Sequence, residues 1–242
     1  MAGKVSAKQV TQHRLVAEAA ERAARERRTR TTKVVTAVTV LALAVGGGVW
    51  WQVQRSAIDE VADPGPSVSS ELLADGIALG GANSRPVVDV YLDFLCPHCA
   101  DLEERIGDTI ADLAASGDAR VVIHPITLID PAESARSAAA FGCAAGSDGV
   151  LGYQRGLFDN AGGGFSTERL VAIGASVGLT DAAFVRCVQD GTQAGWAAAV
   201  DAAAGERGVE GTPTILVDGA ELDLAATVTP AAFMAELEAL TG

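Results

Sequence analysis

Asp93-Phe94-Leu95-Cys96-Pro97-His98-Cys99 carries two cysteines with only a proline and a histidine between them. A pair spaced this way can close a small disulfide ring and open it again, which is redox chemistry. The residues leading into it, 87–95, are rich in Val, Tyr, Leu and Phe and read as a strand. Pro97 suits the first position of a helix, where its missing N–H has no intrahelical partner to lose. Leu102, Ile106, Ile110 and Leu113 then recur at helical spacing, and Gly117 ends the helix. A strand that becomes a helix at Cys96 sets that sulfur beside free N–H groups and the positive end of a helix dipole. Such surroundings favour a thiolate, and a protonated or hydrogen-bonding His98 adds to the effect. Cys99, one turn further in, reads as the shielded partner. Asp101, Glu103 and Glu104 oppose the thiolate by like-charge repulsion and are expected on the solvated outer face. Stabilising the reduced thiolate makes the disulfide a stronger oxidant, so the pair is expected to give its disulfide away.

Outward from this run, residues 77–79 and 121–128 read as strands. From 131 to about 208 the pattern is Ala-rich and helical, with helices expected at 132–145, 166–177, 181–189 and 193–206. Ser166 and Thr180 are expected N-caps. A strand at 214–217, a turn at Asp218-Gly219, a short strand at 221–224 and a helix at 230–240 capped by Thr229 complete the chain. The order is β-β-α-β, a helical block, then β-β-α. Tyr153, Phe158 and Trp196 read as helical core. Gly162-Gly163-Gly164 is a loop without the strand-before, helix-after setting of a nucleotide site.

The chain has 242 residues and a formal net charge of -13. Residues 1–33 hold nine Lys/Arg against three Glu, about +6, which leaves about -19 for the remainder. An acidic body without a basic stripe excludes a nucleic-acid partner. Residues 34–51 read VVTAVTVLALAVGGGVWW, are uncharged, and are about long enough to cross a hydrocarbon core of roughly 30 Å. Arg27, Arg28, Arg30 and Lys33 flank one end and Trp50 and Trp51 the other. The pattern predicts a basic cytoplasmic tail (1–33), a single transmembrane anchor (34–52), a linker (53–74) and an extracytoplasmic domain (75–242). A cleaved signal peptide is the rival, with a long basic region and a weak cleavage site. Four cysteines in an exported domain fit an oxidising compartment.

Cys96-Pro97-His98-Cys99 after an apolar strand, a helical insertion, then Gly211-Thr212-Pro213-Thr214 before a late strand resembles the DsbA family of thioredoxin-fold oxidoreductases. The likeness is to its membrane-anchored actinobacterial type. It implies an α/β thioredoxin fold with a helical insertion at about 131–208, preceded by one transmembrane helix. It also implies that Cys96 is the nucleophile, Cys99 the resolving cysteine and His98 the thiolate stabiliser. Pro213 would be a cis-proline facing the pair, a position that local propensity alone assigns to trans. Thr212 would lend its backbone to bound substrate. No cofactor is implied. The implied partners are exported proteins with free thiols and a quinone-linked membrane re-oxidant, served by a monomeric domain. A reductase or isomerase of the same fold, or a binding module without redox turnover, are the alternatives.

Many relatives carry a buried acid six residues before the first cysteine, where this chain has Val90. Asp89 and Asp93 fall on the opposite strand face from Val90, and Asp93 reads as a cap for the strand-helix turn. Cys143 and Cys187 fall in two different helices of the insertion. They read as a structural disulfide worth roughly 4 kcal/mol in the chain-entropy model, or as a second redox pair relaying electrons to Cys96. A zinc site would need both of them to reach Cys96 and Cys99, since His13 lies across the span and His124 on a strand. No metal is expected.

Overall fold

The apolar run before Cys96 lies at the heart of a mixed sheet, where a strand is covered on both faces. The computed structural model describes residues 58, 65–225 and 229–242. The expected basic tail and transmembrane anchor, and the linker up to residue 64 apart from Ile58, lie outside the described residues. Among the described residues no helix is long and apolar enough to cross a membrane.

The strands are β1 (Ser70–Leu72), β2 (Ile77–Leu79), β3 (Val87–Leu92), β4 (Arg120–Pro125), β5 (Thr214–Val217) and β6 (Ala220–Glu221), in sheet order β1-β2-β4-β3-β5-β6. β3 and β4 are parallel and every other neighbouring pair is antiparallel. The helices are α1 (Pro97–Ser116), α2 (Pro131–Cys143), α3 (Val150–Asp159), α4 (Thr167–Ser176), α5 (Ala182–Asp190), α6 (Ala194–Glu206) and α7 (Pro230–Thr241). The period-two alternation of β3 sends Val88, Val90 and Leu92 into the main core with Ile106 and Phe233, from α1 and α7. Tyr91 points the other way, to a second cluster with Ile126 and with Val200 and Ala204 of α6. α1 starts as its residues dictate, with Cys96 at the N-cap, Pro97 in the first turn and Gly117 at φ 82° closing it.

Several boundaries differ from the sequence expectation. The sheet begins at Ser70, inside the stretch expected to be linker, because β1 pairs with β2 through Ser70↔Leu79 and Leu72↔Ile77. β1 is a half-exposed edge strand with no buried position to give it an apolar pattern. β3 stops at Leu92 rather than running to 95, because Asp93 draws the chain into the turn before α1. α3 is an additional helix. Its Gly152 and Gly156 weaken helix propensity, and burial on nearly every side erases the amphipathic signal. The N-cap of α5 is Asp181, not Thr180: its carboxylate accepts from the N–H groups of Ala183 and Phe184 at 2.9 and 3.0 Å. Tyr153 and Phe158 are buried on α3, and Trp196 of α6 packs against the core and donates to the Leu73 carbonyl at 2.7 Å. A Cβ on Gly142 would meet the Trp196 ring at 2.6 Å, so that glycine lets α2 and α6 approach.

Candidate active site

Cys96 and Cys99 are both free thiols and both buried, at 4% and 2% exposure. Their surroundings differ more than their exposure. Cys96 sits at the end of α1 beside the exposed Pro97 and His98. Its sulfur makes no capping bond to the helix N–H groups. Instead Cys96 Sγ donates to the Thr212 carbonyl at 3.5 Å, across 116 residues of sequence. The Thr212–Pro213 bond is cis, as the family resemblance implies and local propensity does not. Among the described residues His98 makes no hydrogen bond to either sulfur, so its influence on Cys96 is that of an exposed neighbour.

Cys99 faces inward. Burial pushes its thiol up to about 12, against the lowering effect of a backbone hydrogen bond at Asp93, and the neighbouring Cys96 raises it further. It lines a small cavity with Val90, Leu92, Leu102, Glu103, Gly107 and Gln154. The pair is therefore asymmetric, with one sulfur against the Thr212–Pro213 loop and the other held neutral against the core.

Glu103 corrects the sequence expectation of a solvated carboxylate. Its side chain is 15% exposed, accepts from Gln154 Nε2 at 2.8 Å and lies 3.5 Å from Arg155 Nε. Burial raises its carboxyl above the ordinary carboxylate range, opposed by the Gln154 hydrogen bond and by the Arg155 charge. The signal was present in the spacing. Glu103 stands four residues after Cys99 and three before Ile106, on the buried stripe of α1. Asp101 and Glu104 are exposed.

Asp93 is fully buried and serves as more than a local cap. Oδ1 accepts from Leu95 N–H at 2.8 Å and from Ser134 Oγ at 2.9 Å, while Oδ2 accepts from Leu128 and Ile129 N–H at 2.8 and 2.9 Å. It joins the turn before Cys96 to the 127–130 loop and to α2. Ser134 is a member of this network that sequence patterning did not single out. Asp89 points away from α1, with Oδ1 2.8 Å from His124 Nε2 and 3.8 Å from Arg207. Val90 lines the same small cavity as Cys99.

Cys143 and Cys187 are bonded to each other with Cα atoms 5.8 Å apart, joining α2 to α5, so neither sulfur is a ligand for a metal at Cys96 and Cys99. Among the described residues no group of three or more His, Cys, Asp or Glu side chains is placed to hold a metal ion.

A family model described as thioredoxin matches residues 73–238. No curated protein matches the chain. Among solved structures, reduced DsbA from Mycobacterium tuberculosis is 25% identical with a TM-score of 0.58, over 69% of this chain and 93% of its own. MdbA, a thiol-disulfide oxidoreductase from Corynebacterium diphtheriae, is 21% identical with a TM-score of 0.61, over 70% of this chain and 94% of its own. MdbA from Actinomyces oris is 23% identical with a TM-score of 0.60, over 76% and 98%. The match over most of the chain, around a cysteine pair that faces a proline loop, decides the family. The chain belongs to the thioredoxin family, and within it is a DsbA-like protein thiol-disulfide oxidoreductase.

Proposed function

We propose that the protein donates disulfides to exported proteins from an extracytoplasmic domain (75–242) held at the membrane by residues 34–52. The observation that carries the proposal is the approach of Cys96 Sγ to the Thr212 carbonyl at 3.5 Å, with Cys99 behind it in the core. In the oxidised form a substrate thiolate attacks Cys96, the Cys96–Cys99 bond breaks and its electron pair leaves on Cys99. A second substrate thiol then attacks the mixed disulfide and departs as a substrate disulfide, so the substrate loses two electrons and the pair gains them. Cys96 is the nucleophile of the reverse direction and Cys99 the resolving cysteine. Pro97 fixes the helix start, and exposed His98 supplies positive charge when protonated. Thr212 and Pro213 present a backbone edge to the bound substrate, which the carbonyl now meeting Cys96 supports. A quinone-linked membrane partner restores the disulfide, and the domain acts as a monomer. The disulfide between Cys143 and Cys187 is structural.

The potential of the Cys96–Cys99 couple tests direction. Equilibration against glutathione is expected to give a value toward the oxidising end, about -120 mV for DsbA-type sites. A value near the thioredoxin figure of about -270 mV would overturn the donor reading in favour of a reductase.

A further inference from the structure

Period two turns Val87, Asp89 and Tyr91 of β3 away from α1. The register Val87↔Arg120, Asp89↔Val122 and Tyr91↔His124 sets three residues of β4 on the same face. α6 covers the end of this face nearer the cysteines, packing on Tyr91 and Ile126. The other end is the floor of a cleft of about 330 Å³, lined by Arg85, Arg120 and Arg207. Cations are scarce in this part of the protein. Beyond residue 64 the chain holds eight arginines, no lysine and 25 acidic residues. Three of the eight arginines line this one cleft. A local excess of positive charge on so acidic a domain concentrates anions there.

The three guanidiniums are not equivalent. Arg207, at the C-cap of α6, donates to Tyr91 Oη at 2.9 Å and to Asp75 Oδ2 at 2.8 Å, and lies 3.8 Å from Asp89 Oδ1. Asp89 also meets His124 Nε2 at 2.8 Å. The two carboxylates of the cleft, Asp75 and Asp89, are therefore engaged by Arg207 and His124. Arg120 is different. Its side chain is 15% exposed, yet among the described residues its guanidinium makes no hydrogen bond. Its ionic contact is Glu71 Oε2 at 3.6 Å, on a side chain 66% exposed. A guanidinium carries five N–H donors, and covering it without acceptors costs free energy. Arg85 stands at the same end of the sheet, because the carbonyl of Pro86 accepts from the Arg120 backbone N–H at 2.9 Å. It gives one donor to the Ser84 carbonyl at 2.8 Å and has no carboxylate partner among the described residues.

We propose that this cleft is a binding site for a phosphate monoester, bridged by Arg85 and Arg120. A carboxylate has two oxygens and one charge, which a single guanidinium fork satisfies. A phosphate monoester has three free oxygens and close to two charges, so it meets both forks at once. Val87, Val122 and Ala82 line the cleft beside them and give the organic part of the ester an apolar surface. Arg207 stays in its network with Tyr91, Asp75 and Asp89 and shapes the floor. The site is at the start of β3, the end of the strand away from Cys96, and it is independent of the disulfide chemistry. The same chemistry is offered by a soluble ester such as glycerol phosphate and by the headgroup of phosphatidic acid.

The test is isothermal titration calorimetry of the full-length protein in a nonionic detergent, with glycerol 3-phosphate as the probe. Wild type is expected to bind saturably and more weakly as salt is raised. Arg85→Gln and Arg120→Gln are each expected to weaken binding about tenfold, the loss of one charge-assisted interaction. Both are expected to keep the wild-type rate of disulfide exchange with dithiothreitol. Succinate, which carries two charges on separate carboxylates, is expected to bind far more weakly than the ester. Phosphatidic acid doped into the micelles separates the sources. Displacement of the probe assigns the site to the lipid headgroup, and an unchanged titration assigns it to the soluble ester. Absence of saturable binding by wild type, or succinate binding as tight as the ester, would overturn the proposal. So would wild-type affinity in Arg85→Gln, whose exposed position keeps that variant decisive even if Arg120→Gln does not fold.

Discussion

Two buried carboxylates near the cysteine pair are held in opposite ways. Asp93 has four donors and is a structural anion. Hydrogen bonds to a charged group contribute about 1.5–3 kcal/mol each, and truncation strands the donors. Asp93→Ala is therefore expected to cost at least about 3 kcal/mol in urea unfolding. Asp93→Asn should cost nearly as much, since one of its two atoms becomes an N–H donor facing other donors. An unchanged midpoint in either variant would refute the network's role. Glu103 has fewer partners and a raised carboxyl. The folded protein binds that proton more tightly than the unfolded chain does. The stability gained is complete below the ordinary glutamate value of about 4.3 and is lost as pH rises through the raised value. Glu103→Gln has no such proton. Wild type is expected to lose stability relative to Glu103→Gln as pH climbs above the ordinary glutamate value of about 4.3, and parallel urea midpoints across that rise would contradict it.

At the scale of elements, legibility in the sequence followed burial pattern. α1, β5 and α7 have one apolar stripe or a clear cap and β3 a continuous apolar run, and the sequence pattern marks each within a few residues. β1 was hidden because an edge strand of the sequence Ser-Glu-Leu buries no residue. α3 was hidden for the opposite reason, with eight of its ten residues buried and two of those glycine. The charge of Glu103 points to solvent and its place on the buried stripe of α1 points to the core; the structure follows the stripe. Helical spacing sets Glu103 beside Cys99, whereas the Thr212 contact, made across 116 residues, is one that no local pattern encodes. The disulfide that ties α2 to α5 spans 44 residues. Replacing both Cys143 and Cys187 with Ala is expected to cost roughly 4 kcal/mol in urea unfolding. Dithiothreitol sufficient to reduce Cys96–Cys99 should leave this bond closed in thiol-trapping mass spectrometry. Opening of both bonds together would make it a second redox pair.

For the whole molecule, charge divides the chain where chemistry would. About nine Lys/Arg against three Glu precede an uncharged stretch ending in Trp50-Trp51, and the remainder is strongly acidic. Positive charge is retained in the cytoplasm, while a disulfide donor works only where thiols are not kept reduced. Under the proposed disulfide-donor function, both considerations lead to the expectation that Cys96 lies on the outer side. One expectation comes from the residues before 52 and the other from the proposed function of the site. Membranes washed in alkaline carbonate are expected to retain the full chain. In intact cells treated with a mild reductant, a membrane-impermeant maleimide is expected to label Cys96, and Cys96→Ser to abolish the labelling. Release of the chain into the carbonate wash would remove the anchor and favour the cleaved-leader reading. Labelling that needs lysis would place the pair in the cytoplasm, where donation of disulfides to exported proteins fails as an account of the site.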